Sequence, residues 1–294
     1  MKMKVFHCSI KGASHERSGL PCQDASLSYS GDNYNIIAVA DGHGDPKHDL
    51  SEIGAKFAVE SATDILKKLA DDVAMQKDVL LSRMVKDDFP RLVLRRWREL
   101  ANNDYRNRVL SSNKDTVSDE TDTPFTRYGT TLIAAIVTET QVIYAQIGDG
   151  DIVLLRDDKS YEIFSPVDQN LVGGATYSLS GNEAIRHFSC GSSSLAGIRG
   201  LFLSTDGLRN SYDDDSAFIR LLSAIAEMVD KDGIEVTKEV IIKQFVEFSK
   251  NGSGDDITIA AIIATSAQSE GATLHKQDKN VCSMKPHATS FVSY

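Results

Sequence analysis

The chain has little that would stiffen, staple or anchor it. Six prolines and one tryptophan in 294 residues leave no basis for a collagen-like or other fibrous architecture. Its four cysteines, Cys8, Cys22, Cys190 and Cys282, show no C-x-x-C spacing and no histidines at zinc-ligand intervals. Neither a zinc ribbon nor a disulfide framework is expected, and reduced thiols are the simplest reading. No apolar run approaches the roughly 18 residues of a membrane span, and the first residues, MKMKVFHCSIKGASHERSG, lack the apolar core of a signal peptide. Basic residues are the minority, 32 against 42 acidic for a net charge of -10, which argues against a general grip on nucleic-acid phosphates. A soluble, cytoplasmic chain with no membrane and no nucleic-acid partner is expected, long enough to bury a sizeable core.

What the chain does have is apolar strands. MKVFHCS, DASLSYS and YNIIAVA are short, β-branched or alternating, and separated by Gly, Ser, Pro and Asn. Helical spacing of Ile53, Phe57, Ile65 and Leu69 follows, with Ser51 as N-cap, and a second helical stretch has Pro90 near its start and carries Trp97. The arginines of that second stretch are diluted by acids and read as a solvated face. Ser111 to Arg127 is polar and aperiodic, a surface loop. TTLIAAIVTETQVIYAQIG then reads as a hairpin turning at Glu139 and Thr140, and DIVLLRDDKSYEIFS as another turning at Asp157 to Ser160. Pro166 to Ser194 is glycine-rich, with loops and short strands. Two helical stretches, Ser216 to Val229 and Val236 to Lys250, precede the strand ITIAAIIA. The class is α+β with mainly antiparallel sheets. One domain over residues 1–264 is expected, with a polar tail over 265–294.

Acidic residues recur at the ends of the apolar runs. VADGHGD, IGDGD and LSTDGL each close a run with Asp-Gly, and GSGDDITI places two aspartates before one. Singly, an Asp-Gly is a turn. If these strand ends converge, the carboxylates repel one another unless cations sit between them, and such hard oxygen donors select magnesium or manganese over zinc. A pair of such ions activates water for attack on a phosphate ester. Gly42, having no Cβ, would let its carbonyl approach a metal or its water closely. His43 is suitably placed to protonate a leaving alkoxide.

The ordered series QDAS, VADGHG, YGTT, IGDGD, LSTDGL and GSGDDITI, spanning residues 8–264, resembles the metal-dependent protein phosphatases of the 2C type, in a divergent, bacterial-like branch. The resemblance implies a four-layer sandwich, two central antiparallel sheets flanked by pairs of helices. It implies a centre of two Mg2+ or Mn2+ ions, with a third in some bacterial members. The implied reaction is hydrolysis of phosphoserine and phosphothreonine in proteins, with a cognate Ser/Thr kinase as an expected partner. Asp41 matches the bridging metal ligand and the Gly42 carbonyl its neighbour. Asp206 and Asp255 match the aspartates of the first metal, Asp24 the acid at the second, Asp149 the acid of the third, and His43 the general acid. Gly129, Thr130 and Thr131 match a structural turn.

Three departures separate this sequence from the family pattern. Gln23-Asp24 stands where many relatives have Glu-Asp, and a neutral amide holds a metal more weakly or only through water. Gly148-Asp149-Gly150-Asp151 replaces Gly-Asp-Ser-Arg. The phosphate-binding arginine of animal relatives has no clean counterpart, leaving His15 and Arg17 as substrate-binding candidates. A catalytically silent, phosphoprotein-binding module is the alternative; loss of Asp206 or Asp255 would mark it, and both are present. A third reading is hydrolysis of a small phosphate ester, which differs only in what the loops admit.

Overall fold

The computed structural model describes residues 2–72, 78–112, 124–164, 176–212 and 214–266. Most of the loop expected over 111–127, the tail beyond Ser266 and the first part of the glycine-rich stretch lie outside them, as does Cys282.

In chain order the strands are β1 (Lys2–Ile10), β2 (Ala25–Ser30), β3 (Asn35–Ala40), β4 (Leu132–Val137), β5 (Gln141–Ile147), β6 (Asp151–Arg156), β7 (Tyr161–Ile163), β8 (Ser189–Ser194), β9 (Ile198–Ser204) and β10 (Ile257–Thr265). The helices are α1 (Ala13–Ser18), α2 (Ser51–Asp72), α3 (Asp78–Asp87), α4 (Phe89–Ser112), α5 (Asp206–Arg209), α6 (Asp215–Asp232) and α7 (Ile234–Asn251). The strands form two five-stranded antiparallel sheets, ordered β1-β10-β9-β6-β7 and β2-β3-β4-β5-β8.

The central strands read as continuous apolar runs because both of their faces are covered. In β3, Ile36, Ala38 and Ala40 face the helices while Ile37 and Val39 face the other sheet. In β10, Ile257, Ile259, Ala261 and Ile263 face helices α6 and α7, while Ala260 and Ile262 meet β3 and β4 side chains between the sheets. Each buried Ile or Leu contributes on the order of 1.5–3 kcal/mol, so the four-layer sandwich is held by three stacked apolar interfaces. Helices α2, α3 and α4 cover the second sheet. Trp97 of α4 is fully buried and its indole N–H donates to the Gly54 carbonyl of α2 at 2.9 Å.

Both hairpins turn where the sequence predicts, between β4 and β5 and between β6 and β7. Ser51 is the first helical residue of α2 rather than its cap: the Leu50 carbonyl accepts the opening bond from the Gly54 N–H, and the Ser51 hydroxyl instead accepts from the Gln23 amide at 2.7 Å. Helix α3, which the sequence reading passes over, presents only Leu81 and Val85 as buried residues. Strand β8 has the unpromising sequence SCGSSS, and pairing with β5 in register Tyr144 to Gly191 makes it a strand.

Helix α2 approaches its sheet through small side chains, Ala55, Ala58 and Ala62, all without solvent exposure. Ala58→Leu is therefore expected to destabilise the protein by about 1–3 kcal/mol through overpacking, although leucine is nearly as good a helix former as alanine. Thermal unfolding followed by circular dichroism checks this; an unchanged or raised midpoint would contradict the close packing of α2.

Candidate metal centre

The aspartates stand at the ends of strands, most of them interior to the two sheets, and are aimed by the strands that end or begin there. Asp41 follows β3. Its backbone is gripped by the YGTT turn: the Asp41 N–H donates to Thr131 Oγ1 at 3.0 Å, and its carbonyl accepts from the Thr131 N–H and the Thr130 hydroxyl, each at 2.8 Å. Gly42 is buried beside it, and a Cβ there would stand 2.6 Å from the Gln23 carbonyl oxygen. Asp206 opens α5 directly after β9, where it accepts from the Asn210 amide at 3.0 Å and lies within hydrogen-bonding reach of Asp41.

Asp255 precedes β10, and its carboxylate accepts the Asp256 N–H at 2.8 Å. Asp24 precedes β2 and is buried, with Oδ2 accepting from the Thr205 hydroxyl at 2.8 Å. Asp149 is exposed at the turn from β5 to β6. The buried Gln146 amide shapes that turn by donating to the carbonyls of Gly148 at 3.2 Å and Gly150 at 2.6 Å.

These carboxylates burden one another. Burial, then Asp24, Asp206, Asp255 and Asp149, raise the Asp41 carboxyl well above the usual range. Burial and then Asp256 do the same to Asp24. Asp206 is pushed up to about 6 by burial, Asp149 and Asp255, and Asp255 is raised chiefly by burial. Among the described residues none of the five pairs with a Lys or Arg. The side-chain amide oxygen of Gln23, next to Asp24 in the chain, is buried without a hydrogen-bond partner. Hard, anionic and under-satisfied oxygens are what a divalent cation such as Mg2+ or Mn2+ takes. Among the described residues no three His, Cys, Asp or Glu side chains are gathered into a ready-made cage, so the donor chemistry fits such ions while the arrangement is open.

His43 follows Gly42 in the chain, its ring packed near Gly129 and its centroid 4.8 Å from that of His48. His48 in turn bonds the Thr126 carbonyl through Nδ1. Burial, with His48 and Lys47 adding to it, lowers His43 to about 4, so at neutral pH its imidazole is uncharged until an anion approaches it. His15, on α1, is turned away from solvent onto Asp256, Nδ1 to Oδ1 at 2.9 Å. Arg17 is exposed and has no carboxylate partner among the described residues.

The supporting groups are what sequence reading misses. Thr130 and Thr131 grip Asp41, Gln146 shapes the Asp149 turn, Thr205 holds Asp24, and Asp256 collects donors from the N-terminal segment. The paired threonines after Tyr128-Gly129 and the second acid of GSGDD were visible signals, but their partners are remote in the chain.

The profile of the protein phosphatase 2C family matches residues 11–245. The chain belongs to this family. Among solved structures it is similar to the serine/threonine phosphatase Stp1 from Staphylococcus aureus, at 14% identity and a TM-score of 0.57, over 90% of this chain and 96% of that one. It is also similar to the catalytic domain of the serine/threonine protein phosphatase PstP, solved with two manganese ions, at 17% identity and a TM-score of 0.52 over 90% and 99% of the two chains. The serine/threonine phosphatase of S. agalactiae matches at 17% identity and a TM-score of 0.53, over 90% and 100%. No curated protein matches. Among the described residues no helix is long and apolar enough to cross a membrane.

The mutual repulsion has a measurable sign. With its folded value raised to about 6, Asp206 binds a proton more readily folded than unfolded, so its contribution to stability is present at acid pH and is lost as pH rises through 6. Asp206→Asn is therefore expected to raise the midpoint of the EDTA-treated protein at pH 7, with the advantage shrinking below pH 6. Thermal scans of both proteins from pH 5 to 8 check this; a variant less stable at pH 7 would contradict the crowding.

Proposed function

We propose that the chain is a metal-dependent phosphatase that hydrolyses phosphoserine and phosphothreonine in proteins. The observation that carries the reading is the set of aspartates, Asp24, Asp41, Asp206 and Asp255, at strand ends with no Lys or Arg partner among the described residues, in a chain of the 2C phosphatase family. Asp206 and Asp255 would hold one ion together with Asp41, which a second ion beside Asp24 would share; the Gly42 carbonyl would be the ligand next to Asp41, and Asp149 would serve a third. When bound, Mg2+ or Mn2+ supplies Lewis acidity and offsets the charge of both the carboxylates and the phosphate.

The chain's own residues do the rest. The grip of Thr130 and Thr131 fixes the Asp41 backbone, so that its carboxylate does not have to be reoriented during the reaction. Arg17, exposed on α1 and without a carboxylate partner among the described residues, offers its guanidinium to the substrate phosphate. As the phosphate dianion approaches, His43 gains the proton-binding strength that burial denies it, and it can then hand a proton to the departing seryl or threonyl oxygen. His15 is held on Asp256 and takes part through that contact. A cytoplasmic setting suits the free thiols of Cys8, Cys22 and Cys190, and a Ser/Thr kinase would supply the substrate.

The second reading, a catalytically silent phosphoprotein-binding module, draws on the open arrangement of the acidic side chains. One assay separates the two. Purified protein with a phosphothreonine peptide or p-nitrophenyl phosphate is expected to release phosphate with Mn2+ or Mg2+, to stop with EDTA, and to lose at least about 100-fold in kcat as Asp206→Asn. No release by folded protein in excess Mn2+ would establish the silent module, and a preference for the small ester over the peptide would redirect the substrate assignment.

A further inference from the structure

Asp256 is the one acid of the GSGDD stretch that the metal-centre reading leaves without a task. It is 3% exposed, and both of its oxygens are already taken. Oδ1 accepts the Gly12 N–H at 2.5 Å and the His15 imidazole at 2.9 Å, and Oδ2 accepts the Gln23 N–H at 2.6 Å. An ionised carboxylate only accepts, so His15 Nδ1 carries the proton in this contact. Hydrogen bonds to a charged acceptor are about twice as strong as neutral ones. With three N–H donors on its two oxygens, Asp256 is not free to serve as a ligand itself.

The donors come from the far end of the chain, Gly12 and Gln23 being separated from Asp256 by 244 and 233 residues. They bracket the segment that carries α1, His15 and Arg17 and that delivers Asp24 immediately afterwards. Neighbouring contacts seat the same segment. Ala13 N–H donates to Ser249 Oγ at 2.8 Å, and the Ser14 N–H and hydroxyl both reach the Gly254 carbonyl, at 2.9 and 2.5 Å. Ser249 donates onward to the Asp255 carbonyl at 2.8 Å. The backbones meet so closely that a Cβ on Gly12 would stand 2.6 Å from both the Asp256 nitrogen and the Gly254 oxygen.

We propose that Asp256 is a positioning residue, whose carboxylate latches residues 12–23 into a closed loop and so sets Asp24 at the acidic cluster. The latch fixes the chain on the entry side of Asp24, as the pairing of Ala25 with Ala40 fixes it on the exit side. Thr205 then has only to orient the Asp24 side chain. The placement of Asp24 as a ligand rests on the phosphatase reading; the latch does not.

Asp256→Asn keeps the shape but turns an NH2 group toward N–H donors. In the full, metal-free chain, hydrogen exchange over residues 12–24 is expected to accelerate at least about tenfold, while exchange in α2 and β3 stays unchanged. Mn2+ binding by titration calorimetry is expected to weaken about tenfold, as Asp24 loses its fixed backbone. Unchanged exchange over 12–24 in folded Asp256→Asn would overturn the latch. Faster exchange with wild-type Mn2+ affinity would overturn the positioning role. Should Asp256→Asn not fold, His15→Ala on the short helix α1 decides: it removes one of the three donors, so exchange in the same segment should rise about threefold, and no rise would overturn the proposal. A wild-type protein that binds no Mn2+ and hydrolyses nothing sinks the phosphatase reading, and the metal-free exchange comparison still settles the latch.

Discussion

Like charge held together without a counter-charge is the constraint on which this structure turns. Asp24, Asp41, Asp206 and Asp255 come from four separated stretches of chain, and each has its carboxyl raised by burial and by acidic neighbours. A chain that stayed together only by maximising stability would place a lysine or arginine among them. Instead the neighbouring groups are hydroxyls, amides and backbone N–H groups, which orient carboxylates without neutralising them. Thr205 on Asp24, Asn210 on Asp206 and the Asp256 N–H on Asp255 are all of this kind. That choice keeps the net negative charge available to a ligand of opposite sign.

Bringing such groups together needs a frame that does not yield. The inner faces of β3, β4, β6, β9 and β10 interlock through Ile37, Val39, Ile133, Leu154, Leu203 and Ile262, each essentially without solvent exposure. Cores packed to this degree are not continuously deformable. Asp41, Asp206 and Asp255 sit within one or two residues of a strand end in that frame, so the apolar layers fix the spacing of the acids. The same layers explain why the strands read as unbroken apolar runs rather than alternating ones: with helices on the outside and a second sheet on the inside, neither face meets water.

This is also why the fold, and the position of the acids at strand ends, were legible in the sequence. An apolar run that closes on Asp-Gly states both the strand and the place where its side chain can leave the core, and the ordered motifs added the family. The remainder was not legible because its determinants are remote. Thr131 grips Asp41 from 90 positions away, and Asp256 holds Gly12 from 244. No local pattern announces such contacts. Strand β8 is a case in point, since SCGSSS has poor strand propensity and owes its conformation to β5. Ser51 fails as a cap for a related reason: its hydroxyl is engaged by Gln23, a residue 28 positions earlier.

Gln23 shows how the scaffold and the site share single residues. Its backbone N–H is bound by Asp256, its side-chain NH2 reaches Ser51 at 2.7 Å, and its side-chain amide oxygen is left buried without a donor. A glutamate at this position would add a further negative charge beside Asp24, which burial and Asp256 already disfavour. The neutral amide avoids that repulsion. It tolerates the nearby Asp256 carboxylate, to which the Gln23 N–H donates. The departure at position 23 and the acid at position 256 are thus two parts of one electrostatic arrangement, joined by the hydrogen bond between them.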